Sequence, residues 1–284
     1  MNSERKWNIR PFQNEVLRIF REFECICKKY NLRYYAIGGT ALGAVRHGGF
    51  IPWDDDFDVS MPREDFNKFV DIIDQELPDH LKFFRGGESK CSPIYFSKIV
   101  DVRPDVVRRM REETGLEFDF APFIDVFVLD GVPEHVGDFG WWWRGRRLIR
   151  LCQAYRHPES LTVSNIEPWR RFIIRVVGFF LSFFYPRTKD NRGMMKLLDE
   201  FALHWPFATS RMVVEPMFFK MRTRMLMPKE MFDPARIVPF EDGMICVPAR
   251  VEEHLERWFG DYMTMPPEEH RVPEHLFKRA YNHV

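Results

Sequence analysis

The sequence predicts an α/β (α+β) protein in which helices flank a mixed sheet, with a helical insertion in the second half. Residues 14–30 carry Val16 and Phe23 on one apolar stripe, opposite a charged face, as in an amphipathic helix. A short apolar run at residues 35–37 ends at two glycines, which is typical of a buried strand. The clearest strand pattern is FIDVFVL at residues 123–129. Alternation of the two patterns predicts helices packed on a sheet.

The composition excludes some functions and favours one compartment. Basic and acidic residues are equal in number, 42 of each, which argues against a nucleic-acid-binding surface. The five cysteines show neither zinc-ligand spacing nor a disulfide framework, so a reducing, cytoplasmic location is expected. Cys25 and Cys27 are predicted to be packing residues of the first helix.

A glycine turn after the first strand points to phosphate binding. Gly38 and Gly39 allow the backbone to approach a ligand closely, and Thr40 adds a hydroxyl. If residues 40–46 form a helix, its free N–H groups and its dipole face the same point, which suits a phosphate.

Two acids follow in a segment of alternating character. Asp56 and Asp58 are two residues apart, so in a strand both carboxylates lie on one face while Phe57 and Val59 enter the core. Adjacent carboxylates repel unless a cation lies between them, and Mg²⁺ or Mn²⁺ prefers oxygen ligands. The pattern favours metal-assisted phosphoryl or nucleotidyl transfer, the alternative being an acidic solvated turn.

The elements after this strand supply the next candidates. Pro62 is predicted as the first residue of a helix that extends to residue 75. Residues 95–100 and 106–110 are interpreted as two strands joined by a turn. Lys98 and Arg103 near this turn are candidates for binding a phosphate, although Arg103 would equally form a surface pair with Asp101.

The strand at residues 123–129 contains one acid. Asp125 is costly to bury in so apolar a run unless it is paired or coordinates a metal. It is therefore predicted as a third carboxylate facing Asp56 and Asp58, either sharing the metal or taking a proton from an attacking hydroxyl. Asp130, before Gly131, is predicted to be structural.

The chain changes character after residue 133. Three consecutive tryptophans at 141–143 precede several arginines, and residues 172–185 form an apolar run too short to cross a bilayer. Residues 139–187 are interpreted either as a buried helical region or as an in-plane membrane contact at the inner face of the membrane. Three regions are predicted: a core at 1–133, a basic and aromatic helical insertion at 134–210, and a C-terminal segment at 211–284 that returns to the core. In the last two, helices are expected at 194–203 and 249–259.

The run GGTALGAVRHGGFIPWDDDFDVSMPREDF, residues 38–66, resembles the signature of the LicD family, to which the fukutin-related proteins are also similar. SKIVDVRPDVV at 97–107, FIDVFVLDGVP at 123–133 and residues 245–271 extend the resemblance. It implies a nucleotidyltransferase-like fold with the glycine turn and the three acids at its active site. Lys98 and Arg103 also fall within the similar segments.

The resemblance implies a phosphotransferase that uses Mg²⁺ or Mn²⁺ and a donor linked to cytidine diphosphate. The acceptor would be a hydroxyl of a cell-surface glycan or a lipid-linked sugar. LicD relatives transfer phosphocholine, and the fukutin-related branch transfers ribitol phosphate. Two alternatives remain open: a nucleotidyltransferase that moves a nucleoside monophosphate to a small molecule, and a non-catalytic module that binds a glycan or a membrane.

Overall fold

The fold is organised around one long strand at the centre of a mixed sheet. The computed structural model describes residues 8–86, 96–133, 168–184, 191–215 and 226–273. The helices are α1 (Arg10–Lys29), α2 (Gly38–His47), α3 (Arg63–Glu76), α4 (Pro104–Thr114), α5 (Pro168–Phe184), α6 (Asn191–Ala202) and α7 (Val251–Phe259). The strands are β1 (Tyr35–Ala36), β2 (Asp58–Pro62), β3 (Leu81–Phe84), β4 (Ser97–Asp101), β5 (Phe123–Val132), β6 (Met212–Val214), β7 (Leu226–Pro228), β8 (Arg236–Phe240) and β9 (Gly243–Val247).

The sheet has the strand order β1-β2-β5-β4-β3, and β6 and β7 continue it from the end of β5. Strands β2 and β5 are parallel, whereas the other neighbouring pairs are antiparallel. The last two strands, β8 and β9, form a separate antiparallel hairpin. All ten residues of β5 are buried. The predicted mixed sheet with flanking helices is confirmed.

The main core lies between this sheet and α1. The buried face of α1 carries the predicted stripe, including Val16, Phe20 and Phe23. The Phe20 ring lies 4.6 Å from the Phe57 ring, measured between centroids, and Phe57 is the residue directly before β2. Aromatic contact of this kind holds the start of β2 against the helix.

Several boundaries differ from the sequence predictions. Residues 106–110 were predicted as a strand, but they lie in α4, where Val106 and Met110 are buried one helical turn apart. Pro62 is the last residue of β2 rather than the first of α3. The second helix begins at Gly38, two residues earlier than predicted. Cys27 is buried as expected, whereas Cys25 is exposed and is not a packing residue.

The helices predicted at 194–203 and 249–259 are present as α6 and α7, each with slightly different bounds. The tryptophans at 141–143 and most of the predicted insertion lie outside the described residues, so the domain boundaries remain a prediction. No helix in the described ranges has both the length and the apolar character needed to cross a membrane.

A buried ion-pair network joins α3, β5 and α6. The Arg63 guanidinium is almost fully buried and donates through Nε to Asp130 at 2.7 Å and through Nη1 to Asp199 at 2.5 Å. Asp199 also accepts from Arg85. The prediction that Asp130 is structural is therefore confirmed, and its partner is a residue that the sequence did not single out.

Replacing Asp130 with asparagine should lower the free energy of unfolding by about 3–5 kcal/mol, because a broken buried ion pair leaves the remaining charge poorly compensated. Urea unfolding monitored by circular dichroism measures the change. Glu252→Gln is the control, since Glu252 pairs with Arg236 at 2.7 Å on the exposed surface, where a pair contributes about 1 kcal/mol or less. Equal losses in the two variants would contradict the structural role of Asp130.

Candidate active site

Three charged side chains lie in one row across the centre of the sheet. Asp58 of β2 is the register partner of Asp125 in β5, and Asp125 is the register partner of Lys98 in β4. Register partners on neighbouring strands are about 4.8 Å apart and present their side chains on the same face. The structure therefore brings Asp58 and Asp125 together, as the sequence predicted. Lys98 Nζ forms an ion pair with Asp125 Oδ1.

Backbone hydrogen bonds fix the first acid of this row. The Asp58 N–H donates to Thr40 Oγ1 at 2.8 Å, and the Asp58 carbonyl accepts from the Ile37 N–H at 3.1 Å. The Asp125 N–H donates to the Phe57 carbonyl at 2.8 Å. The buried Thr40 hydroxyl thus positions Asp58, and its contact with a phosphate remains a prediction.

The glycines at the start of α2 lie directly against the acids. Gly38 has φ of +55°, and a Cβ there would be 3.1 Å from Asp58 Oδ2. At Gly39 a Cβ would be 2.6 Å from Asp54 Oδ2. Residues without a side chain are needed for so close an approach. The N-terminal end of α2, which carries the positive end of the helix dipole, therefore faces Asp54 and Asp58.

Asp54 is an acid of this cluster that the sequence analysis did not select. Its backbone carbonyl accepts from Gln13 Nε2 of α1 at 2.9 Å, which fixes the loop before β2. Asp56 lies in the same loop rather than in the strand itself. Phe57 and Val59, which were predicted to enter the core, are nevertheless completely buried.

The pKa values of Asp54 and Asp58 are raised by burial and by neighbouring acids. Burial raises the pKa of the Asp58 carboxyl well above its usual range, and the charges of Asp56 and Asp125 raise it further, whereas Lys98 lowers it. Burial and the carboxyl group of Asp56 raise the pKa of Asp54 in the same way. Asp54 and Asp58 are half-buried. The cluster is thus short of positive charge.

A further acid, Glu215, directly follows β6 and is completely buried. Its burial raises its pKa to about 8. One weak signal for Glu215 is present in the sequence, since the β-branched run Val213-Val214 ends at this acid. Sequence reasoning missed it because only the pairing of β6 with β5 brings it to this sheet.

Lys98 and Arg103, predicted together, have separate environments. Lys98 contacts the acid row, and its ammonium lies 3.6 Å from the centroid of the Phe123 ring. Arg103 lies before α4 and hydrogen-bonds Asp101 through Nη2 at 2.5 Å, with Glu15 of α1 3.6 Å away. The structure does not bring Arg103 to the acid row, and the surface pair with Asp101 that the sequence left open is present.

The donor chemistry of the cluster fits a hard divalent cation. All its acids supply carboxylate oxygens, the ligand type that Mg²⁺ and Mn²⁺ prefer, and Glu215 adds two buried oxygens. Within the described ranges, no three acidic, histidine or cysteine side chains already converge at metal-ligand spacing. Lys98 supplies positive charge to Asp125 in this arrangement.

Gly38→Ala should destabilise the protein more than Gly115→Ala. Both glycines have positive φ, at +55° and +67°, but only Gly38 has atoms close to the position of an added Cβ. A left-handed alanine costs about 1–2 kcal/mol at either position, and crowding against Asp58 adds about 1–3 kcal/mol at Gly38. Urea unfolding measures both variants. Equal losses would show that glycine is needed at position 38 only for its positive φ and not for its closeness to Asp58.

Comparison with known proteins gives a consistent result. Residues 31–125 match the family described as the LicD/FKTN/FKRP nucleotidyltransferase domain, a range that contains Gly38, Asp58 and Asp125. The lipopolysaccharide cholinephosphotransferase LicD of Haemophilus influenzae is 28% identical over 279 residues, which cover 98% of this chain and 99% of that protein.

Two shorter similarities involve proteins described as uncharacterized. One from Rickettsia typhi is 40% identical over 60 residues, 21% of this chain and 19% of its own length. One from Rickettsia prowazekii is 38% identical over 60 residues, 21% of this chain and 23% of its own length. The family match over residues 31–125, the 28% identity along nearly the whole chain and the acid row together support a LicD-like phosphotransferase.

Proposed function

We propose that this protein transfers phosphocholine from a cytidine-diphosphate-linked donor to a hydroxyl group of a cell-surface glycan, with a divalent cation as cofactor. The observation that carries the proposal is the pairing of Asp58 with Asp125 on adjacent strands, next to the glycine start of α2. The similarity to a lipopolysaccharide cholinephosphotransferase supports phosphocholine as the transferred group and a glycan as the acceptor.

Mg²⁺ or Mn²⁺ would be held by Asp58 and Asp125 together with Asp56, and when bound it would neutralise charge on the donor diphosphate. The raised pKa values of Asp54 and Asp58 support this assignment, because burial and neighbouring acids both disfavour their charged forms. Held by these carboxylates, such a cation would supply the positive charge that relieves their repulsion and compensates the diphosphate. The residues would thus bind the donor mainly through the cation.

The chemistry requires one bond to form and one to break. An acceptor hydroxyl oxygen attacks the phosphorus that carries choline, the bond from that phosphorus to the bridging oxygen breaks, and cytidine monophosphate leaves with the electron pair. Asp125 would accept the hydroxyl proton or share the cation. Lys98, next to Asp125, would stabilise negative charge at this point. Positioning and charge compensation would supply most of the acceleration.

Asp58→Asn should reduce the transfer of labelled phosphocholine from CDP-choline to lipopolysaccharide by about 10²-fold or more. The reason is that the variant lacks one of the carboxylates that would hold the cation against the donor diphosphate. Asp71→Asn is the matched control, since Asp71 is an exposed acid of α3. The assay is run with Mg²⁺, with Mn²⁺ and with a chelator. Activity of Asp58→Asn equal to that of Asp71→Asn would contradict the proposal.

The leaving group separates the proposal from its principal alternative. Phosphocholine transfer releases cytidine monophosphate from CDP-choline. A nucleotidyltransferase, which the family description also favours, would release pyrophosphate from a nucleoside triphosphate. Phosphorus NMR of the reaction with each substrate distinguishes the two. Release of pyrophosphate from CTP, with no turnover of CDP-choline, would establish the alternative.

Helix α5 supports a contact with the membrane surface, on the cytoplasmic side, where lipid-linked acceptors would be reached. Among the described side chains of this helix, seven large apolar ones are exposed: Trp169, Phe172, Ile173, Val176, Phe179, Phe180 and Phe183. Most are three, four or seven residues apart, which places them on one face. Arg175 is also exposed. An apolar face with an aromatic end and an arginine fits a helix that lies in the headgroup region of an anionic bilayer.

Replacing Phe172 and Phe183 with glutamate should reduce binding to anionic phosphatidylglycerol vesicles by at least about tenfold, because each buried phenylalanine contributes roughly 1.5–3 kcal/mol. Vesicle co-sedimentation measures the change. The control replaces Ile237 and Met244 of the β8–β9 hairpin, which are exposed to 62% and 50%. Unchanged binding in the α5 variant, or an equal loss in the control, would contradict the proposed contact.

A further inference from the structure

Two arginine side chains meet around Trp53, the residue directly before Asp54. The guanidinium carbon of Arg271 lies 5.7 Å from the centroid of the Trp53 ring. His47, the last residue of α2, contacts the same ring edge-on, with 6.4 Å between centroids. Its Nε2 accepts from Arg46 Nε at 3.1 Å. Arg46, Trp53 and Arg271 are half-buried, so a ligand from solvent can reach them.

Neither arginine has a carboxylate partner within the part of the chain that the structure describes. Arg46 donates through Nη1 to the Tyr262 carbonyl at 2.7 Å, and Arg271 donates through Nε to the Pro266 carbonyl at 2.8 Å. These carbonyl oxygens accept hydrogen bonds but leave the positive charges uncompensated. Because a guanidinium group has five N–H donors, both side chains retain donors for a ligand.

The positive charges of the two arginines act on each other. Burial lowers the pKa of Arg46, and the charge of Arg271 lowers it further. The pKa values of Arg10 and Arg103 are raised instead, because each hydrogen-bonds an acid. The C-terminal end of α2 offsets part of the charge on Arg46 through the helix dipole. An anion between the two guanidinium groups would relieve their repulsion and accept from their remaining donors.

This pair of arginines lies beside the acids of the proposed donor site. Along α2, Arg46 is seven residues after Gly39, which corresponds to about 10 Å at 1.5 Å per residue. Gly39 lies against Asp54, and Trp53 adjoins Asp54 in the chain, so this loop connects the two places. The two phosphates of a diphosphate share one bridging oxygen, so a diphosphate held at the acids does not span that distance. A second anionic group is needed to occupy the arginines.

We propose that Arg46 and Arg271 form an anion site that binds a phosphate group of the glycan acceptor and so positions the acceptor beside the donor. The assignment to the acceptor rests on the proposed function, whereas the anion site itself rests on the two arginines. Arginine suits this role because its planar guanidinium group binds phosphate through two parallel hydrogen bonds. The cation–π contact with Trp53 holds the Arg271 side chain in place.

Binding of inorganic phosphate tests the anion site without any transfer reaction. Isothermal titration calorimetry is run in EDTA, so that no divalent cation links phosphate to the acids. The double variant Arg46→Gln/Arg271→Gln should bind phosphate at least about tenfold more weakly than the wild type, because two charge-assisted contacts are lost. The matched control, Arg21→Gln/Arg236→Gln, removes two exposed arginines that already pair with acids. It should bind phosphate as the wild type does.

Transfer kinetics identify the source of the phosphate. In the double variant the KM for lipopolysaccharide should rise by about tenfold, while the KM for CDP-choline stays unchanged. A rise in the KM for CDP-choline instead would assign the anion to the donor and overturn the acceptor assignment. If the arginines only fasten the C-terminal segment, the double variant should melt at a lower temperature with its phosphate affinity unchanged, which would also overturn the proposal.

Failure of this inference is distinguishable from failure of the proposed function. If the wild type binds no inorganic phosphate, or if the double variant and its control lose affinity equally, the anion site fails while the transferase function stands. If the wild type binds phosphate but transfers no phosphocholine, the proposed function and the acceptor assignment fail together, and the anion site stands on the binding data.

Discussion

The parallel pairing of β2 with β5 is the constraint on which the rest of this site depends. Its register sets Asp58 beside Asp125 and leaves their hydrophobic neighbours to fill the core. A shift of one residue would turn each carboxylate to the opposite face of its strand. The elements around the pair maintain this register: Thr40 binds the backbone of Asp58, and Phe20 packs on Phe57.

The site concentrates negative charge where water is scarce. Such an arrangement opposes folding, and Lys98 and the N-terminal end of α2 offset part of its cost. The buried pair of Arg63 and Asp130 shows the contrasting case, in which an acid of the same strand β5 is fully matched within the protein. The acids around Asp58 are those that the proposed cation and donor diphosphate would compensate.

Local patterns predicted the parts of the molecule that local interactions determine. The apolar run around Asp125 identified both the central strand and the third acid, because a lone charge in such a run needs a partner. The prediction of a strand at 106–110 was wrong because a short apolar run fits the period of a helix as well as that of a strand. Two signals favoured the helix: Pro104, typical of a first helical turn, and the four-residue spacing of Val106 and Met110. Glu215 could not be predicted, since its place depends on pairing between distant strands.

The most direct test of this account is a crystal structure of the protein with Mn²⁺ and CDP-choline, in which anomalous scattering locates the ion. The account predicts an Mn²⁺ peak at about 2.0–2.3 Å from carboxylate oxygens of both Asp58 and Asp125, with the donor diphosphate bound to the same ion. An ion bound elsewhere on the chain would contradict it. So would a donor bound without an ion while Lys98 remains paired with Asp125.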